Sequence, residues 1–115
     1  MSAGKENLTV DQGADWYINF TYQDTTGAAI NLTGYTAALQ LRSNISDVIP
    51  ALSLATGSGI TITGATGLIA VHATATQTGA ISAGYYYYDL EITSASNIVT
   101  RLIEGRIQLV AQVTR

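Results

Sequence analysis

Apolar and polar side chains alternate along most of this chain, and the clearest alternation runs from Ser82 to Thr93. Tyr86, Tyr88, Leu90 and Ile92 fall on one side of that stretch, and Tyr85, Tyr87, Asp89 and Glu91 on the other. A period of two puts successive side chains on opposite faces of an extended backbone, so the stretch predicts a strand with one buried and one wet face. The same period recurs upstream. Leu8 and Val10 begin it, and Trp16, Ile18, Phe20 and Tyr22 alternate with Tyr17, Asn19, Thr21 and Gln23. Tyr35, Ala37, Leu39 and Leu41 form a further inward set, and Ile30 with Leu32 suggests a short bridging strand before them.

Leu52 with Leu54, and Ile60 with Ile62, predict two short strands joined through Thr56-Gly57-Ser58-Gly59. Gly64-Ala65-Thr66-Gly67 has hairpin-turn composition and leads into Leu68–His72; Asp24-Thr25-Thr26-Gly27 is a turn on the same grounds. Residues 73–80 are the one place where a turn of helix fits. The last strand spans Ile98 to Val113, with Ile107, Leu109, Ala111 and Val113 on one face and Gly105 interrupting it. In a simple hairpin register Gly105 falls opposite Tyr86 or Tyr88, where a missing side chain leaves room for a ring. Arg101 shares the parity of Ile103 and Ile107, which requires a bulge near Gly105 or an edge position. Segment 43–50, with the only proline at Pro50, has no period.

About eight short strands with turn signals every 8–12 residues and no strong helix specify an all-β antiparallel fold. A barrel and a jelly roll satisfy that count as well as a sandwich does. Both remain open, and the spacing Gly84-x-Tyr86-x-Tyr88 after a small-residue turn tips the choice to a sandwich. It resembles the penultimate strand of an immunoglobulin-like β-sandwich, where a tyrosine two residues before the usual cysteine bonds back to the backbone as a corner. Tyr88 stands where that cysteine would be, and the expected acceptor for the Tyr86 hydroxyl lies in residues 73–80. The expected core is Trp16, Phe20, Leu39, Tyr86, Leu90 and Leu109.

Composition narrows the function more than the fold. A chain of 115 residues forms one domain and buries roughly two thirds of its extended surface. We divide it into a polar arm at residues 1–6, loose until a neighbour orders it, and one domain over residues 7–115. Only 11% of residues are charged, against roughly one quarter in an ordinary soluble domain, which favours a surface partly covered by partners. The net charge is −3, and Lys5, Arg42, Arg101, Arg106 and Arg115 are scattered, so no basic stripe suits nucleic acid. There is no cysteine, hence neither a disulfide nor a thiolate metal site. No apolar run is long enough for a membrane span, and the first residues lack the apolar core of a signal peptide.

Candidate chemistry is sparse. His72 is the only histidine, has no companions at ligand spacing and reads as a rim residue at a strand end. Asp89 and Glu91 share a strand face and read as solvated carboxylates or partners of an arginine across the ladder, without the pocket an acid/base pair needs. The Asn-x-Ser/Thr triplets at Asn7, Asn19, Asn31 and Asn44 are what chance produces in a chain this rich in Asn and Thr, and the glycine pairs are turns. No catalytic role, cofactor, metal or small-molecule substrate is expected. Tyr85 and Tyr87, with Tyr17 on an earlier strand, are instead candidates for a protein interface, together with the loop from Ser43 to Pro50. Cross-strand packing on the wet face accounts for the three tyrosines equally well.

Several phrases taken together extend the resemblance. They are Asp11-Gln12-Gly13 before aromatic alternation, Asn31-Leu32-Thr33-Gly34-Tyr35-Thr36-Ala37, Leu41-Arg42-Ser43, Ala83-Gly84-x-Tyr86-x-Tyr88-Asp89-Leu90-Glu91 and Val99-Thr100-Arg101-Leu102-x-x-Gly105. Their order and spacing, over nearly the whole chain, are similar to small tailed-bacteriophage structural proteins with an immunoglobulin-like domain, such as the N-terminal domain of phage baseplate upper proteins. The resemblance implies a virion subunit made in the host bacterial cytoplasm. Its partners would be other virion proteins and copies of itself, docked on a tail, baseplate or collar scaffold to support fibres or receptor-binding proteins. Baseplate upper proteins continue into a connector, whereas this sequence stops at Arg115, so a self-contained ring or adaptor fits as well as a fibre anchor. A head decoration protein and a carbohydrate-contacting tip module are the alternatives. The first and last strands are the expected open sheet edges.

Overall fold

A computed structural model describes residues 4–113. The chain is all-β, with nine strands and one short helix among those residues. The strands are β1 (Gly4–Lys5), β2 (Leu8–Asp11), β3 (Trp16–Thr21), β4 (Thr36–Arg42), β5 (Leu52–Thr56), β6 (Gly59–Thr63), β7 (Leu68–Ala73), β8 (Gly84–Thr93) and β9 (Val99–Val110); the helix is α1 (Ala75–Gly79). They form one curled sheet in the order β1-β9-β8-β4-β5-β6-β7-β3, with β2 also on β9. The sheet wraps a single core in which Val10, Phe20, Leu39, Leu54, Ile60, Ile69, Leu90 and Leu109 all join. The molecule measures 43 × 27 × 24 Å, and β9, its longest strand, extends to roughly 40 Å at strand rise.

The tyrosine strand falls as its alternation requires: Tyr86, Tyr88, Leu90 and Ile92 are buried, and Tyr85 and Tyr87 are exposed. Within residues 73–80 the helix covers Ala75–Gly79, started by a capping box in which the Thr74 and Gln77 side chains each bond the other's backbone N–H. Gly67 takes a left-handed conformation after a 3-10 turn at Gly64–Thr66, closing the β6–β7 hairpin. The Asp24 turn is equally local: its carboxylate accepts from Thr26 N, Thr26 Oγ1 and Ala28 N.

Five expectations are corrected. The sheet is mixed, not antiparallel: β1 and β2 run parallel to β9, and β5 to β6 through the pairs Ala55↔Gly59 and Thr56↔Ile60. That last pairing turns a corner at Gly59, where φ is +98° and a Cβ would lie 2.7 Å from Leu54 Cδ2. Second, β9 is no edge, because β8 and β1/β2 flank it; the edges belong to β1/β2 and β3. Third, Ala111 and Val113 are exposed, since β9 ends at Val110. Fourth, Ile30 and Leu32 form no strand, although Leu32 is fully buried and its N–H donates to Gly64 O. Fifth, Trp16 and Ile18 are only half-buried, because β3 is an edge strand packed against the rim of the core.

The Arg101 conflict is resolved by a bulge. Leu90 pairs with Ile103 but Glu91 pairs with Arg101, so Leu102 is the extra residue and Arg101 swings outward.

Candidate docking surface

The buried end of the tyrosine strand is where backbone, ring and glycine meet. Tyr88 pairs with Gly105, as one of the two expected registers had it. The space above Gly105 is filled by the first residues of the chain: an added Cβ would overlap the carbonyl oxygen of Glu6. That carbonyl accepts the Tyr88 hydroxyl at 2.7 Å. Glu6 N donates to Glu104 O at 3.0 Å, and Asn7 Oδ1 accepts from Arg106 N at 3.1 Å. Because β1 and β2 share one register on β9, residues 4–11 make a single edge strand. It is interrupted at Glu6 and Asn7, where the Glu6 carbonyl turns to Tyr88 and the Asn7 side chain replaces it on the ladder. Of the arm expected at residues 1–6, Gly4 to Glu6 are therefore paired, and residues 1–3 lie outside the described residues. Burial, with a smaller push from the nearby Glu6 carboxylate, raises the Tyr88 phenol to a pKa of about 12.

The Tyr86 hydroxyl donates to Ser82 O at 2.6 Å. A corner hydrogen bond forms, but its acceptor is four residues back, past the helix, and not in residues 73–80. The strand begins at Gly84 with φ +143°, so the chain doubles back sharply enough to present a much nearer carbonyl.

On the opposite face of the sheet, Tyr85 and Tyr87 stand in line beside the loop from Ser43 to Pro50. Arg42 pairs with Tyr87 on β8, so the loop leaves β4 next to that ring. The loop is an ordered protrusion. Asp47 Oδ2 accepts from Ser43 Oγ at 2.8 Å and Asn44 N at 3.1 Å, Arg42 Nε donates to Asp47 O, and Ala51 N donates to Leu41 O just after Pro50. With its backbone so fixed, the loop holds Ile45 76%, Val48 90% and Ile49 82% exposed. Ser43 and Pro50 thus frame the surface, and the aliphatic residues between them supply it. The signal for them was legible in Ser43–Pro50: three β-branched apolar residues in a segment with no period have no face to bury on.

Tyr17 lies elsewhere, on β3 at the far end of the strand order. Its ring stacks on that of its cross-strand partner His72, with centroids 4.3 Å apart and planes within 4°. His72 Nε2 is 3.3 Å from Asp15 Oδ2, and Asp15 Oδ1 accepts from Ala75 N. The three tyrosines therefore do not form one patch; Tyr17 is occupied in ordinary cross-strand packing. The neighbouring bend at residues 12–14 is tied by Thr78, whose buried hydroxyl accepts from Gly13 N and donates to Ala14 O.

Beside Tyr87 an open groove of about 680 Å³ runs over the outer faces of β9, β8 and β4, between Lys5–Asn7 on one side and Ile45 on the other. Asp89 and Glu91 line it. Asp89 is paired with Arg101 at 3.3 Å, and Glu104 lies 3.7 Å from the same guanidinium. Among the described residues no three His, Cys, Asp or Glu side chains are placed to hold a metal ion. No helix among them is long and apolar enough to cross a membrane. No protein-family model matches the chain, and no curated protein does.

Proposed function

We propose that this chain is a non-catalytic structural subunit of a tailed-bacteriophage virion, an immunoglobulin-like domain that docks on a tail or baseplate scaffold through its outer sheet face. The observation that carries this reading is the loop 43–50. A fixed backbone that holds three β-branched aliphatics in water gains nothing for the isolated fold and is what a protein-binding surface requires. Tyr85 and Tyr87 extend that surface with rings that contribute large contact area at low entropic cost. The immunoglobulin-like part of the reading is supported by the Tyr86 corner and by the single core that the curled sheet wraps.

The test is biochemical and direct. Particles from an infected lysate, purified by density and washed in high salt, are expected to contain the chain in many copies at a fixed ratio to the other tail proteins. A map of such particles should place loop 43–50 against a neighbouring protein. Particles that lack the chain would overturn the reading. So would a map in which the loop faces open solvent.

A further inference from the structure

The groove beside Tyr87 collects every cation of the described residues, Lys5, Arg42, Arg101 and Arg106, with the four acids Glu6, Asp89, Glu91 and Glu104. Strand register sorts these charges into rows. Arg42, Tyr87 and Arg106 are directly opposed on β4, β8 and β9 and form the first row. Gln40, Asp89, Glu104 and Lys5 form the second, two residues along. Glu91 lies opposite Ala38 on one side and Arg101 on the other, in the third.

The middle of the groove is internally neutralised, because Arg101 reaches both Asp89 and Glu104 and Lys5 stands opposite Glu104 on the neighbouring strand. Its ends are not. Among the described residues neither Arg42 nor Arg106 has a carboxylate within ion-pair distance, and Glu91 has no cation within it. Arg42 is also held in place by neutral acceptors: Nε donates to Asp47 O at 3.0 Å and Nη1 to Gln40 Oε1 at 2.9 Å. A guanidinium fixed by neutral partners keeps its charge and its remaining N–H groups for another anion. Tyr87 and Ile45 lie beside it and supply an apolar lip.

We propose that this groove binds an extended segment of a partner protein that carries an acidic residue over Arg42 and Arg106 and a basic residue over Glu91. Tyr87 and Glu91 are four residues apart on one strand, which is about 13 Å at strand rise. An extended peptide laid along β8 spans that distance in the same four residues, so the recognised pattern is an acid followed, or preceded, by a base at the fourth position. Uncharged residues between them lie over the neutralised middle row. A segment with acids at both positions meets Glu91, and one with bases at both meets Arg42 and Arg106, so the groove discriminates by repulsion as well as attraction.

This inference rests on the docking reading above and names what one part of the surface would hold. Its test uses the whole protein labelled with ¹⁵N and three short peptides rich in serine and threonine. The first carries glutamate and lysine four residues apart, the second glutamate at both positions, the third lysine at both. In low salt the mixed peptide should shift the amide signals of Arg42, Tyr87, Asp89, Glu91 and Arg106 and bind roughly tenfold more tightly than either control, an advantage that shrinks as salt screens the pairs. Arg106→Glu, at an exposed position, should remove that preference and favour the peptide with two lysines. Equal binding of all three peptides, shifts outside the groove, or binding of an oligouronate as tight as that of the mixed peptide would each overturn the inference. A failed titration beside normal incorporation into particles refutes this groove and leaves the assembly reading standing. Absence from particles refutes the assembly reading alone.

Discussion

The two sides of β8 show opposite uses of the same residue type. On the core side Tyr88 is closed in: its ring lies against Gly105, its hydroxyl reaches Glu6 O, and the edge strand crosses over both. On the outer side Tyr85 and Tyr87 meet no such closure, and the adjoining loop holds Ile45, Val48 and Ile49 in water. Both regions are held by hydrogen bonds to the backbone. The difference is that the inner region completes itself from one chain, whereas the outer region is complete only as polar framework. Stability should therefore respond to changes on the inside and be nearly blind to changes on the outside.

The largest effect tests the shared core. Leu90 is fully buried between β4 and β9, and Leu90→Ala should cost about 2–5 kcal/mol in urea-induced unfolding. Next comes the glycine under the edge strand. Gly105→Ala forces a methyl group into the Glu6 carbonyl, so either the strand lifts or β9 shifts, at about 1–3 kcal/mol. Amide exchange at Glu6 should speed up in that variant, and an unchanged midpoint with unchanged exchange would show that the crossing carries no strain.

Smaller still are the hydroxyls. Tyr86→Phe and Tyr88→Phe each remove one hydrogen bond to a carbonyl and should cost about 1 kcal/mol apiece. They separate by pH. The Tyr88 phenol ionises near 10 in an unfolded chain and at about 12 in the fold, so the folded state favours the protonated form. Its contribution is complete below pH 10 and is lost as pH rises through 12. The alkaline fall in stability over that window should be shallower in Tyr88→Phe than in the parent, and a parallel fall would assign it to other groups.

The inner region was readable in the sequence, because burial imposes the period-two pattern on Tyr86, Tyr88, Leu90 and Ile92 and because Gly105 interrupts its strand. What crosses Gly105 was not readable. Residues 4–7 are small or polar and carry no period, and their place on β9 is fixed by the Tyr88 hydroxyl, an acceptor and a gap contributed from distant parts of the chain. The parallel pairings escaped for the same reason: alternation gives the face of a strand, not its neighbour. Ala111 and Val113 show the reverse error, in which a pattern continues past the last residue the sheet can pair. In the outer region the sequence pointed to Ser43 and Pro50, the punctuating residues. The exposed side chains lie between them, since a short loop pinned by Asp47 cannot turn its aliphatics inward.

The smallest expected effect on stability is at the site of the largest expected effect on assembly, and measuring both in one variant tests the account most directly. Ile45, Val48 and Ile49 are changed together to Ser, unfolding is measured in urea, and the variant is supplied to assembling particles beside the parent chain. Stability should stay within about 0.5 kcal/mol of the parent, as for surface positions generally, while incorporation into particles should fall to background. Normal incorporation of the stable triple variant would contradict the assignment of this loop as the docking surface.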